Sequence, residues 1–313
     1  MPSVPATDET VVALMVSDLH LSDKVPVARS AEADWELAQI VPLKQLAKYQ
    51  RRYNCPVLIA GDILDKPVVL PWVVNMALKH LPEQCYAVPG QHDMPHHNYS
   101  DIRKSAYWTL VEAGKIVNLE PGHPTEVMSN GRILRLRGFP WGVPAVACSD
   151  PHDMALEIAV VHDYLWTTPE TCYKDAPEIK QLSKRFAQFK GYDAVVVGDN
   201  HIHWMIGSGR PKMYNCGCFQ RRRADEKQHQ PMVGLLFADG TIKRKKLDTS
   251  AEKWIDNAAD AERVMGGSSA EFVKELEALG DAALDYAAAV KRRLIGVHDE
   301  QIKAVVLRCL EGK

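Results

Sequence analysis

Long apolar runs are missing from this chain of 313 residues, and with them any candidate for a helix that crosses a membrane, which needs about 18 or more such residues. The opening Met1-Pro-Ser-Val-Pro-Ala-Thr-Asp-Glu-Thr has neither the basic nor the apolar part of a secretory leader, so a soluble cytoplasmic protein is expected, without membrane association. An excess of one charge is also missing. Lys and Arg number 38 against 40 Asp and Glu, so the molecule as a whole does not attract nucleic acid, and any such contact must come from local patches. Seven scattered cysteines, an odd number, do not make a disulfide framework; they read as reduced thiols. Cys216-Gly-Cys218 has no second Cys pair nearby and reads as loop packing more than as a metal clip. Internal repeats are absent. With 46% hydrophobic residues, the chain can bury one large core and carry an appended region.

Against these absences stands one recurrence. Five times a short apolar run stops at an acid, amide or histidine: Val-Ser-Asp18-Leu-His20, Ala-Gly-Asp62, Pro-Gly-Gln91-His92-Asp93, Val-Val-His162-Asp163 and Val-Gly-Asp199-Asn-His201-Ile-His203. Each piece alone also reads as a polar turn, since Gly and Asp are ordinary turn residues. Five in this order, each directly after a β-like run, point to buried strands whose ends share one crevice of an open α/β sheet. Oxygen and nitrogen donors gathered there suit hard or borderline divalent ions.

The same motifs resemble those of the calcineurin-like metallophosphoesterases: Asp-x-His, Gly-Asp-x-x-Asp, Gly-Asn-His-Asp/Glu, a lone His and Gly-His-x-His. The likeness runs from Asp18 to about Pro231. Within that superfamily, Asp18-Leu-His-Leu, Gly61-Asp-Ile-Leu-Asp65, Tyr192-Asp-Ala-Val-Val-Val-Gly198 and Asn215-Cys-Gly-Cys-Phe-Gln-Arg-Arg-Arg-Ala-Asp-Glu226 are most similar to SbcD-type DNA repair nucleases, including the shorter phage-encoded ones. The resemblance implies a two-sheet β-sandwich flanked by helices, an α/β fold, holding two divalent metal ions: manganese first, with magnesium or iron as alternatives. It implies a phosphodiesterase that hydrolyses DNA as an exonuclease or endonuclease. The alternatives are a phosphoesterase for nucleotides or phosphoproteins and a scaffold that binds DNA or an ATPase without cleaving.

Two ions about 3.5–4 Å apart need a shared ligand, and a carboxylate with two oxygens is the natural bridge. Asp62 is the bridging candidate. Asp18 and His20 complete one ion; Gln91 and His162 serve the other. Such a centre can bind water as hydroxide and stabilise the charge that builds at phosphorus during in-line attack, so no protein nucleophile is required. His92 resembles the family histidine that stabilises the transition state or protonates the leaving oxygen, and Asp93 is expected to orient its imidazole.

Two departures stand out. Gln91 occupies the position of the family's Asn and is one methylene longer, which predicts a weaker or shifted second metal site. At the last motif, an ungapped alignment makes Asp199 and His201 the ligands and leaves His203 outside, whereas a two-residue insertion makes His201 and His203 the pair. The ungapped alignment is preferred, and His201 is a ligand under both.

Arg221, Arg222 and Arg223, close to the last motif, are candidate DNA contacts, as is Lys243-Arg-Lys-Lys246, because phosphate contacts position a duplex without reading it. His96, His97 and Tyr99 could line the substrate path. Strands are predicted over Val11–Ser17, Pro56–Ala60, Cys85–Val88, Lys115–Leu119, Arg132–Arg137, Glu157–Val161 and Asp193–Val197, and helices over Ala31–Arg52, with a soft break at Pro42, and Pro71–His80. Met213–Asn215, Met232–Phe237 and Thr241–Leu247 suggest a second, more antiparallel sheet, the last two joined by a hairpin at Ala238-Asp-Gly240. A phosphoesterase domain over 1–248 is then followed, over 249–313, by an Ala-, Glu-, Lys- and Leu-rich region of helical spacing, with Phe272, Leu276 and Leu279 on one face. By resemblance it caps the site or contacts an SbcC-like ABC ATPase; a homodimer is a further expectation.

Overall fold

The computed structural model describes residues 9–255, and the unit considered comprises 9–172 and 177–255. The helical region expected over 249–313 lies outside the described residues from 256 onward. Runs of Val, Ile, Leu and Ala that are buried at every position, such as Val11–Val16 (β1), Val57–Ala60 (β2), Ala155–His162 (β7) and Ala194–Gly198 (β8), have the composition of strands covered on both faces. The others are Cys85–Val88 (β3), Ile116–Asn118 (β4), Thr125–Ser129 (β5), Arg132–Phe139 (β6), Trp204–Ile206 (β9), Lys212–Asn215 (β10), Met232–Phe237 (β11) and Ile242–Lys246 (β12). They build two six-stranded mixed sheets, β12-β11-β1-β2-β3-β4 and β5-β6-β7-β8-β10-β9.

Alternation along each strand divides its side chains between two cores. From β1 and β2, Ala13, Met15, Leu58 and Ala60 face the second sheet, where Leu134, Leu136, Ile158, Val160, Ala194 and Val196 meet them. Leu14, Val16, Val57 and Ile59 face the other way, onto α1 (Trp35–Tyr53), α2 (Pro71–His80) and α3 (Ala106–Glu112). The outer face of the second sheet packs Ala159, Val161, Val195, Val197 and Met213 against Leu165, Leu182 and Phe189. Each such side chain contributes about 1.5–3 kcal/mol on burial, so Val196→Asp, an unpaired carboxylate between the sheets, is the single change that would open the sandwich.

Three expectations about the elements are corrected. Met232–Phe237 and Thr241–Leu247 do not join Met213–Asn215 in a second sheet: β11 runs antiparallel to β1 and extends the first sheet with β12, while β10 lies parallel to β8 in the second. The hairpin between β11 and β12 is present, with Asp239 Oδ1 accepting from the Thr241 N–H at 2.7 Å. The first helix begins at Trp35, not Ala31, because the Asp34 carboxylate accepts the Leu37 N–H at 2.9 Å and caps it there. Pro42 lies inside this helix without ending it, although a proline within a helix costs about 3 kcal/mol; Trp35, Gln39, Leu43, Leu46 and Gln50 bury one continuous face across it.

Strands β1, β2 and β3 are mutually parallel, as are β6, β7 and β8, so the carboxyl ends of each set share an edge. The five polar strand ends lie at those edges.

Candidate metal centre

The chain leaves these strands abruptly. Asp18, His20, Asp62 and Asp199 have φ of 55°, 45°, 52° and 79°. Left-handed backbone at a non-glycine residue costs about 1–3 kcal/mol and persists where surrounding structure over-determines it. It is held here by backbone bonds between the first two strand ends, Asp18 N to Gly61 O at 3.0 Å and His20 N to Asp62 O at 2.9 Å. Gly90 is required by close approach: a Cβ there would collide with Asp62 Oδ1 and His162 Nε2.

Six side chains converge. Three groups of donors, Asp18 with His20 and His201, His20 with Asp62 and His92, and Asp18 with Asp62 and His162, each place one ligand atom per residue within 4.8 Å of the others. Asp62 Oδ2 faces His162 Nε2 at 3.4 Å and His20 Nε2 at 3.7 Å, while Asp18 Oδ1 lies 3.7 Å from His201 Nε2 and 3.9 Å from His20 Nε2. His20 Nε2 and His201 Nε2 are 3.2 Å apart and point at a common position.

The imidazoles are aimed from behind. His162 Nδ1 is 2.6 Å from Ala60 O, His201 Nδ1 2.7 Å from Glu226 Oε1, and His92 Nδ1 2.8 Å from Asp65 O. An acceptor behind each Nδ1 fixes the orientation of the ring and turns Nε2 toward the crevice, the arrangement by which metal-binding histidines are held. Gln91 spans the second sheet's side: its Oε1 is 2.8 Å from His162 Nε2 and its Nε2 donates to Asp199 Oδ1 at 2.7 Å.

Burial and neighbouring charges shift these groups in opposite directions. Burial pushes the Asp18 carboxyl up to about 6, against the pull of His201 and His162. Burial acts the same way on Asp62, but His162 and His92 overcome it and hold the group well below the carboxylate range. His162 is raised well above the imidazole range although burial opposes this, chiefly through the charge of Asp62 3.4 Å away, and burial drives His20 well below. Asp62 Oδ2 and His20 Nδ1 are buried without a hydrogen-bond partner. A desolvated carboxylate oxygen facing two imidazoles and accepting nothing is the atom a divalent cation would satisfy. The residues present therefore fit divalent ions: the three donor groups overlap at Asp18, His20 and Asp62, and the donors are oxygen and nitrogen, without thiolate. Both Cys216 and Cys218 are buried thiols and belong to none of the three groups.

A family model, that of the calcineurin-like phosphoesterases, matches residues 12–203. The chain belongs to that family. No curated protein matches. Among solved structures, an archaeal phosphodiesterase is similar at 11% identity, with 75% of this chain and 99% of that one covered and a TM-score of 0.36. The calcineurin-like phosphoesterase YfkN of Bacillus subtilis is similar at 13% identity, with 81% and 94% covered and a TM-score of 0.43. The NAD nucleotidase of Haemophilus influenzae is similar at 12% identity, with 80% of this chain but only 55% of that one covered and a TM-score of 0.41. Family membership rests on the match over 12–203.

Within this calcineurin-like centre, several expected residues are placed differently. Asp93 does not orient His92. Its carboxylate accepts the N–H groups of Leu64 and Gly90 at 2.9 Å and of Ile63 at 3.3 Å, tying the second strand end to the third, and burial together with Asp62 pushes it up to about 7. His203 Nδ1 is 3.3 Å from His229 Nδ1 and His203 is in none of the three donor groups; His201 is in one of them, and Asp199, also in none, accepts from Gln91. The arginine triplet is divided. Arg221 binds Glu252 and the carbonyls of Lys227 and His229 and lies over the Trp254 ring, so it is committed to the fold, and Arg223 pairs with the neighbouring Asp225. Arg222 reaches the centre, bonding Asp65. His97 Nδ1 is 3.0 Å from Gln91 O, and Tyr99 donates to Glu120 at 2.8 Å.

Two residues without an assigned role shape the site. Glu226 orients His201 and accepts the N–H groups of Arg222 at 2.6 Å and Arg223 at 2.9 Å; burial opposes its charge, but the bond to His201 brings it down to about 2 and helps raise His201 to about 9. Asp65 lies beside His20 and His92, its Oδ1 3.7 and 3.9 Å from their Nδ1 atoms. Both stand inside motifs that carry the family resemblance; only the fold assigns them partners.

Proposed function

We propose that this calcineurin-like phosphoesterase is a two-cation phosphodiesterase acting on DNA. The observation that carries the phosphodiester chemistry is Asp62 Oδ2, buried, unpartnered and faced by His20 and His162 where three donor groups overlap. Asp18, His20, Asp62, His162 and His201 would hold the ions, with Gln91 and Asp199 beside them. When bound, two divalent ions lower the pKa of water and neutralise charge on a phosphodiester oxygen.

The chain's own residues supply the rest. His92, with Nδ1 fixed on Asp65 O and its side chain 41% exposed, presents Nε2 to the substrate space. Burial works against its charged form, but Asp62 raises its pKa above the usual imidazole value, which favours the protonated ring that can give a proton to the leaving oxygen. The DNA assignment is supported by the resemblance of the Asn215–Glu226 loop to SbcD-type nucleases and by the exposed Lys243–Lys246 run on β12. The same reading implies cytoplasmic activity and an SbcC-like ATPase or a second copy as partners. Among the described residues no helix is long and apolar enough to cross a membrane.

The test is turnover with Mn²⁺ of end-labelled linear DNA, a small chromogenic phosphodiester and a phosphopeptide. Cleavage of DNA at least as efficient as that of the chromogenic diester is expected. Preference for the phosphopeptide, or DNA binding with no hydrolysis of any of the three, would sink the reading in favour of the phosphoprotein enzyme or the scaffold.

A further inference from the structure

Two sets of cations pair with carboxylates that adjoin the candidate ligands: Asp65, beside His20 and His92, and Asp163, the residue after His162. On the first sheet's side, Arg222 bonds Asp65, which stands beside His20 and His92; the arginine Nε is buried without a hydrogen-bond partner, and the side chain keeps 19% exposure. On the second sheet's side, Asp163 follows His162 and is shared by two cations, Lys180 on Oδ1 and Arg185 on Oδ2 at 3.2 Å. One carboxylate is thus shared between two cations in the segment after β7, with Lys180 33% exposed.

We propose that Arg222 on one side and Lys180 with Arg185 on the other bind the phosphates that neighbour the scissile one, so that the crevice takes a polynucleotide strand rather than a mononucleotide. This rests on the phosphodiesterase reading above. A divalent centre accounts for one phosphate only. A strand laid across it presents further negative charges on either side, and a guanidinium or ammonium already paired with a carboxylate at the rim can exchange part of that bond for a phosphate oxygen. The pairing with Asp65 and Asp163 also explains how these cations are kept close to the metal ligands without repelling the ions: each is screened until a phosphate arrives.

The experiment measures binding of a short fluorescent oligonucleotide to the full-length, metal-free protein across a salt series, together with KM and kcat on DNA with Mn²⁺. Arg222→Gln and Lys180→Gln are each expected to weaken binding about tenfold and to lower the slope of log K against log salt by about one. KM on DNA should rise more than kcat falls. Arg222→Lys should recover the salt slope. Arg52→Gln, at the far end of α1, gives the effect of losing a charge anywhere. Unchanged affinity and slope in both Gln variants, with kcat reduced instead, would overturn the assignment and leave Arg222 as a prop for Asp65. Failure of the wild type to cleave any DNA while hydrolysing the chromogenic diester would strike the DNA reading itself, and that is judged first.

Discussion

The two sheets contribute differently to one site. The first delivers Asp18, His20, Asp62 and the Gln91-His92 turn on backbone bent into the left-handed region at three positions, so its donors are placed by main-chain geometry. The second delivers His162 at the last residue of β7, and its loop after β8 delivers His201; these imidazoles are placed by acceptors behind them, Ala60 O and Glu226. The carboxylates Asp18 and Asp62 are placed by a bent backbone, while His162 and His201 are placed by a tether. Asp62 shows what the first mode achieves: its Oδ1 accepts the His92 N–H at 2.9 Å while Oδ2 stays uncommitted.

That contrast can be broken most severely at Asp62. Asp62→Asn should abolish turnover, a loss on the order of a thousandfold or more if several kcal/mol of charge stabilisation depend on it, with an unchanged circular dichroism spectrum. His92→Gln should lower kcat by about a hundredfold to ten-thousandfold yet keep both ions; metal analysis showing one ion would make it a ligand instead. Glu226→Gln cuts the tether of the second sheet and should weaken metal affinity about 10- to 100-fold, measured by titration of the apo protein. It also carries a pH signature. Because the folded Glu226 carboxyl lies near 2 against an ordinary 4.5, its contribution to stability is present above about 4.5 and lost as pH falls toward 2; the Gln variant of the apo protein should not show that loss in urea midpoints. Gln91→Asn, the smallest change, should preserve or raise occupancy of the second ion, and tighter binding by the wild type would refute the notion that the longer amide is a compromise.

The strand ends were legible because burial and chemistry change there within two residues: Val-Val-Val-Gly198 gives way to Asp199, and five such steps in one chain mark strands leaving a core. Partners across the sheets were not legible. β11 reads as apolar wherever it lies, and only its pairing with β1, more than 200 residues away in sequence, decides the sheet. Asp93 follows His92 in the chain, which invites a pairing, yet a 3₁₀ turn sends its carboxylate back to Gly90 N and forward contacts go to Ile63 and Leu64. The arginine triplet illustrates the same limit: three identical side chains in a row leave an irregular loop in three directions, and Arg222 meets the crevice. Glu226 carries no periodic signal; its role arises because the loop following β10 returns to His201.

The bent main chain at Asp18, His20, Asp62 and Asp199 restricts which amino acids those positions accept even when catalysis is of no consequence. In a saturation library screened only for abundance, Asn and Gly should survive at all four, while Val, Ile and Thr should be depleted, because branching at Cβ clashes with a left-handed turn. A descendant relieved of catalysis would thus still be held to asparagine, glycine or another unbranched residue at these corners by the backbone alone.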